Sequence, residues 1–292
     1  MGRGTGFVSA PTVRRRQLGR TLRNLREGAG LTQEEVARRT GGRIRGTKVS
    51  RIETAVNAAT AADVSLILDA LAIADDDLRT ALLRLTREGA RRGWWQSYRT
   101  VLSQPYEDLI SLESEAEQIS TWQPTVIPGL LQTGEYARQI ISATAMSEAI
   151  EDAVSTLVDV RLARQTVLVG DSPLTLWAII GESALRTETA DPQTMREQLG
   201  RLLRLGEQPT ITIQVMPASA PPHVGQMGGF SILGYGSHVD LSVIHVESLT
   251  SGLYVEDGDE VSVYRHAIEQ LRATALSPAE SATMIKEIRD SK

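Results

Sequence analysis

Thr47, Lys48 and Arg51 stand in Thr47-Lys-Val-Ser-Arg-Ile-Glu53 at spacings that bring their side chains to one face of a helix. A lysine or arginine on such a face reaches guanine O6 and N7 or phosphate oxygens, and Thr47 can touch a base edge or a thymine methyl. Ser50 belongs to the same expected contact set. Val49 and Ile52, three apart, take the buried side. Gln33 opens the preceding segment, where a side-chain amide and backbone N–H groups can meet a phosphate. Arg43 and Arg45 in the intervening turn, and Asn57 beyond the helix, complete the set as backbone contacts. These residue types at these spacings support recognition of double-stranded DNA, and the expectation is a binding protein rather than an enzyme.

Such a set needs short helices to hold it. Arg14 to Ala29 reads as a first helix through Leu18, Leu22 and Leu25, stopped by Gly28 and Gly30. Thr32 and Glu35 form a capping box for the second, which ends at Gly41-Gly42. The third runs from about Thr47 to Ala55. Thr60 caps a fourth over Ala61 to Leu71, with Asp63 at its third position, and Asp75 to Glu88 makes a fifth. Two short helices across a tight turn, the second presenting cations, fit a helix into the major groove.

Charge divides the chain in the same place. Residues 1–93 hold 18 Lys and Arg against 10 Asp and Glu, net +8, whereas residues 94–292 hold 13 against 26, net −13. The basic end attracts a polyanion and the acidic remainder faces away from it. The 292 residues are enough for two domains, and 41% hydrophobic with 23% charged residues is globular composition. There is no cysteine, which excludes disulfides, thiolate zinc sites and cysteine nucleophiles. No apolar run approaches a membrane span, and Arg14-Arg15-Arg16 has no apolar stretch behind it as a secretory signal would. A cytoplasmic, nucleoid-associated protein with a disordered tail over residues 1–13 is expected.

The second domain starts near Trp94, after a Gly-flanked basic joint at 89–93. The adjacent Trp94 and Trp95 read as anchors in a core or interface. Tyr106 to Trp122 reads as an amphipathic helix with Leu109, Leu112, Ala116 and Ile119 on its stripe. Gln123 to Gly129 is a loop, and Glu135–Thr144, Ile150–Gln165 and Pro192–Leu205 read as helices. Leu174–Ile180 is a short buried strand, followed by helix signals from Glu182. From 210 the period becomes two: Thr210 to Val215 alternates as a half-buried strand does, and Gly229–Gly234, Val239–Glu247 and Leu253–Glu256 continue it. Asp257–Thr274 is a helix, and Ser277-Pro-Ala-Glu280 opens the last one.

Catalytic patterns are absent from this half. His223, His238, His245 and His266 lack ligand spacing, so no metal is expected. Gly225-Gln-Met-Gly-Gly229 lacks the lysine of a phosphate loop and precedes a strand, and Gly181-Glu-Ser183 is no nucleophile elbow. Asp257, Asp259 and Glu260 read as a solvated helix cap. Trp122, Trp177, His223, Met227 and Phe230 are the candidates for lining an apolar ligand cavity, against the alternative that they are core. No cofactor is expected.

Gln33-Glu-Glu-Val-Ala37 followed by Val49-Ser-Arg-Ile-Glu53 resembles the Cro/C1, or xenobiotic-response-element, helix-turn-helix group over about residues 15–72. The resemblance implies a lambda-repressor-like fold, DNA contact by Gln33, Thr47, Lys48 and Arg51, and a structural role for Glu53. Arg45-Gly46 stands where that group usually has a small polar cap, and Ala55 where a helix-ending glycine is usual. Tyr106 to Ala116, Trp122, Val126-Ile-Pro-Gly-Leu-Leu-Gln-Thr133, Tyr136-Ala137, Arg161-Leu-Ala-Arg-Gln165, Gly228-Gly-Phe230 and Ala275 to Ser281 are similar to a domain of unknown function fused to this helix-turn-helix in filamentous actinobacteria. That similarity implies a transcription regulator, with relatives paired to a small protein in a toxin–antitoxin-like arrangement.

The expected architecture is mainly α with an α+β second domain: a five-helix DNA-binding domain over 14–89, then over 94–292 helices with a small, largely antiparallel sheet. The expected partners are double-stranded DNA, a second copy in a homodimer, a small partner protein and a small-molecule effector, with no membrane.

Overall fold

Short helices with strong caps build the first part of the chain. The computed structural model describes residues 13–86, 94–235, 241–248 and 251–292. It divides into two units, Met1–Arg92 and Gly93–Lys292. The first holds α1 (Val13–Gly28), α2 (Gln33–Arg39), α3 (Gly46–Glu53), α4 (Ala61–Ala70) and α5 (Asp76–Leu85). Val13, expected in the tail, is buried at the start of α1, because its side chain is apolar and completes the helix's inner face. The rest of that tail and the 89–93 joint lie outside the described residues.

Thr32 with Glu35 and Thr60 with Asp63 form reciprocal capping boxes on α2 and α4, and the Asp75 carboxylate accepts from Leu78 N–H on α5. A cap stabilises by about 1 kcal/mol. Each buried aliphatic side chain stabilises by roughly 1.5–3 kcal/mol. Leu18, Leu22, Val36, Val49, Ile52, Val64, Ile67, Leu68, Leu82 and Leu85 are all buried, so the apolar faces hold the bundle and the caps fix where each helix begins. A methyl group on Gly19 would lie 2.5 Å from the Ile52 carbonyl oxygen, so this glycine lets α1 lie directly on α3. α2 closes on left-handed Gly41 (φ 68°), but α3 and α4 close on Ala55 (φ 57°) and Ala72 (φ 54°), in a conformation that suits glycine better.

The second unit carries α6 (Gln104–Glu113), β1 (Gln118–Gln123), α7 (Gly134–Ala143), α8 (Glu148–Arg164), β2 (Thr175–Gly181), α9 (Glu182–Arg186), α10 (Pro192–Gly206), β3 (Ile211–Met216), β4 (Phe230–Gly234), β5 (Val243–Glu247), β6 (Gly252–Val255), α11 (Gly258–Thr274) and α12 (Pro278–Asp290). Its six strands form one sheet in the order β3-β2-β1-β4-β5-β6. β1, β2 and β3 run parallel, joined by helical crossovers as parallel neighbours require. The pairings β1–β4, β4–β5 and β5–β6 are antiparallel. The α+β architecture is therefore as expected, with an added parallel half.

Two readings change. The segment Tyr106 to Trp122 is not one helix: α6 ends at Glu113, and Ile119 and Trp122 belong to β1 at the centre of the sheet. Leu112 and Ile119 fit a helical period. Gln118-Ile-Ser-Thr-Trp-Gln is equally good strand sequence, and hydrogen bonding to β2 and β4 on both sides decides it. β3 is buried on both faces rather than one, with Gln214 enclosed beside Ile213 and Val215. Its outer edge is closed: Val215 N–H donates to Ser281 Oγ (2.9 Å) and its carbonyl accepts from Leu276 N–H (2.9 Å). α11 covers a core that includes Trp122, Ile179, Phe230, Ile244, Ile268 and Leu271.

Candidate nucleic-acid interface

The floor of the site is the packed side of α3. Val49 and Ile52 are fully buried against α1 and α2, which turns Thr47 and Arg51 to the surface. Beneath them, Glu53 is a buried hub. Arg26 donates to it through both Nε (2.7 Å) and Nη2 (2.9 Å), and Gln33 Nε2 donates to its Oε2 at 2.8 Å. This forked pair raises the Arg26 guanidinium pKa further still, chiefly through the hydrogen bond to Glu53. It ties the end of α1, the start of α2 and the end of α3 into one piece. Gln33 is thereby oriented at the α2 N-terminus, half-buried, with part of its amide already engaged.

The cations on this face are not equivalent. Arg43, Arg45 and Arg51 are exposed and have no acidic partner among the described residues. Arg45 occupies the position before α3 without a side-chain cap bond, so its guanidinium is free to reach outward. Lys48 is different: its Nζ sits 2.7 Å from Asp63 Oδ1, and its side chain is 43% exposed. Burial alone would raise the Asp63 carboxyl, but Lys48 and the Thr60 N–H and hydroxyl outweigh it and hold it below the ordinary aspartate range. Sequence spacing turns Lys48 outward with Thr47 and Arg51; the structure draws its charged end toward the α4 cap. Ser50 and Asn57 are half-buried beside this face, Asn57 closing α3 through its backbone N–H on the Arg51 carbonyl (3.0 Å).

Elsewhere in the unit, Arg23 pairs with Glu27, Arg38 with Glu35 and half-buried Arg79 with Asp69, while exposed Arg39 donates to the Ala70 carbonyl at 3.3 Å. Unpaired guanidinium charge thus gathers on the turn and on α3, where a phosphate backbone and base edges can receive it.

In the second unit, four of the five cavity candidates come together as packed core, and Met227 lies outside it. Trp122 and Phe230 are buried core, with Trp122 Nε1–H donating to the Gly225 carbonyl at 2.8 Å. A side chain at Gly225 would meet the Trp122 indole, which explains a glycine there. Trp177 is covered by the Arg272 guanidinium, 4.1 Å from its ring centre. His223 packs edge-on against Trp122, and Met227 is 90% exposed. These contacts make the group a sheet-face core with an outlying methionine, as aromatic residues on strands flanking a helix tend to be. Of the histidines, His245 is buried and stacked on Tyr254, His266 is exposed beside Gln270, and His238 lies outside the described residues. Asp257 does cap α11, accepting from the Asp259 and Glu260 N–H groups. Among the described residues no cluster of His, Asp and Glu could hold a metal.

What the sequence reading missed is a buried polar network in this unit. Arg164 forks onto Glu113 (Nε 2.8 Å, Nη2 2.6 Å) and donates through Nη1 to the Tyr106 hydroxyl at 2.6 Å. Burial alone would lower the Arg164 pKa, but the two partners outweigh it and raise it. Arg161 donates to Tyr106 (3.2 Å) and to Gln132 Oε1 (2.9 Å), while Gln165 Nε2 holds the Gly129 and Gln132 carbonyls. A signal was available: residues 161, 164 and 165 fall on one helical face, and three polar groups there need a polar neighbour.

The geometry defines a class: a helix-turn-helix unit with a cationic reading face, joined to an α+β unit. Comparison with known proteins agrees with it. Residues 17–82 match a helix-turn-helix domain, which points to a DNA-binding regulator. Residues 106–287 match the domain of unknown function DUF5753, and the chain belongs to that family. No curated protein sequence matches it, and no solved structure does. No helix among the described residues is long and apolar enough to cross a membrane.

Proposed function

We propose that this protein is a sequence-specific transcription regulator, without a catalytic step, that binds a pseudo-palindromic operator as a homodimer. One observation carries the reading: Arg43, Arg45 and Arg51 cluster around α3 exposed and, among the described residues, without acidic partners, whereas Arg23, Arg38 and Arg79 of the same unit are paired with carboxylates. Thr47, Lys48 and Arg51 then face the major groove, Ser50 and Gln33 stand beside them, and Arg43, Arg45 and Asn57 grip the backbone. A single small unit buries little surface, and a second copy supplies the missing affinity. Twofold symmetry sets half-sites ~34 Å apart or a multiple of that. The second unit takes up a partner protein or a small ligand, and its balance of 13 cations against 26 carboxylates suits a basic partner, as an antitoxin-like arrangement would use.

A mobility shift on the region upstream of its own gene tests the reading. A discrete complex that survives competitor DNA, from a protein that is dimeric by light scattering, supports it. A smear abolished by any competitor, or a monomer at binding concentrations, contradicts it. Co-purification of a stoichiometric small protein bears on the second unit separately.

A further inference from the structure

Two half-buried arginines in the second unit are tied to neutral groups rather than to carboxylates. The unit holds twice as many carboxylates as cations, and several of its arginines draw on them, Arg164 on Glu113, Arg99 on Glu107, Arg186 on Glu182 and Arg272 on Glu269, though among the described residues Arg196, Arg204 and Arg265 do not. Arg161 and Arg201, both half-buried, take only neutral acceptors. Arg161 binds the Tyr106 hydroxyl and the Gln132 amide oxygen, and Arg201 Nη2 binds Gln165 Oε1 at 2.6 Å. Arg201 Nε is enclosed without any acceptor.

The two guanidinium groups are linked through two glutamines. Arg161 and Gln165 lie four apart at the end of α8, hence on one face, and Gln165 carries Arg201 from α10. Gln165 Nε2 also donates to the Gln132 carbonyl (2.7 Å), so Arg161, Gln132, Gln165 and Arg201 form one linked chain. Gly129 keeps the turn beneath open, since a methyl group there would sit 3.2 Å from Arg161 Cδ. Arg204, a turn along α10, adds like charge; burial and this neighbour both lower the Arg201 pKa. Half-buried positive charge of this kind costs stability unless an anion compensates it.

We infer that Arg161 and Arg201, held by Gln132 and Gln165, form a binding site for the carboxylate or phosphate group of a small-molecule effector. Arg161 Nη2 and Arg201 Nη1 make no bond to the protein among the described residues, and these are the donors the oxyanion takes. The site gives chemical content to the sensing role proposed for this unit and rests on that role only for its consequence. It is measured without DNA, so its failure and failure of the DNA reading are distinguishable.

The test is titration of the full chain with inorganic phosphate and, separately, with citrate, at ionic strength fixed with sodium chloride, followed by calorimetry and by the unfolding temperature. Saturable binding of one or both is expected, weakened at least tenfold in Arg161→Gln and Arg201→Gln and unchanged in Arg196→Gln, an exposed position on α10. Phosphate alone binding points to a phosphorylated effector, and citrate alone to an organic acid. Should the glutamine variants not fold, Arg161→Lys and Arg201→Lys keep the charge but lose the forked donor, and the same tenfold weakening is expected. No saturable binding of either anion, or equal binding by the arginine variants, overturns the site. Displacement of bound phosphate by a 20-base-pair duplex would make it a DNA contact and overturn the effector reading.

Discussion

Each unit buries a forked arginine–glutamate pair, Arg26–Glu53 in the first and Arg164–Glu113 in the second, both through Nε and Nη2. What surrounds the pair differs. Among the described residues Glu53 receives only one further side chain, Gln33, and it lies under a surface where guanidinium groups are left free. Arg164 belongs to a wider web that runs through Tyr106 to Arg161, Gln132 and Gln165. In the first unit the pair ties down the end of a helix whose outer face carries Thr47 and Arg51. In the second, polar groups are themselves the interior, and two cations within that web stay uncompensated. The same device lies beneath an exposed cationic surface in one unit and within a polar interior in the other.

The comparison can be broken most easily at the glutamates. Glu113→Ala leaves a fully enclosed guanidinium unpaired, and should destabilise the second unit by about 3–5 kcal/mol in urea unfolding; a wild-type midpoint would mean that water or another group replaces the carboxylate. Glu53→Ala should cost the first unit about 3 kcal/mol, because Arg26 is slightly more exposed, and should release Gln33. DNA affinity should then fall at temperatures where the unit is still folded, and unchanged affinity would separate the hub from the reading face.

Smaller effects sharpen the account of how α3 and α4 end. Ala72 is exposed with φ 54°, so Ala72→Gly should stabilise by about 0.5–1 kcal/mol. Ala55 has the same conformation but is buried, and its lost methyl offsets the relief, so Ala55→Gly should be near neutral. A large gain at Ala55 would contradict that balance in thermal unfolding. Lys48→Ala should also cost little, about 0.5 kcal/mol for a partly exposed pair. Asp63 has a depressed folded pKa, so its contribution is complete above the unfolded aspartate value of about 4 and is lost as pH falls through the lower folded value. The Lys48→Ala variant should show less of this acid loss, and an identical acid profile would mean that the α4 cap alone depresses Asp63.

Local rules made much of the first unit legible. The capping boxes at Thr32 and Thr60, the buried pair Val49 and Ile52, and the exposure of Arg51 follow from spacing and cap chemistry. Lys48 was less legible, since its tie to Asp63 spans fifteen residues and depends on how α3 meets α4. The sheet shows the same limit. β2 announces itself through an apolar run and β3 through alternation, but β1 hides in a sequence that fits two periods until its neighbours are known. The network around Arg164 was harder to read because its members come from four separate segments, and only the shared face of residues 161, 164 and 165 hints at it.

The central claim is that the outer face of α3 reads DNA sequence. Fluorescence anisotropy of wild type and Arg51→Ala, each on the preferred upstream duplex and on a scrambled one of equal length, addresses it directly. A loss of ~1–3 kcal/mol on the preferred duplex, with little change on the scrambled one, is the predicted result. Equal affinities of the two proteins for the preferred duplex would contradict it.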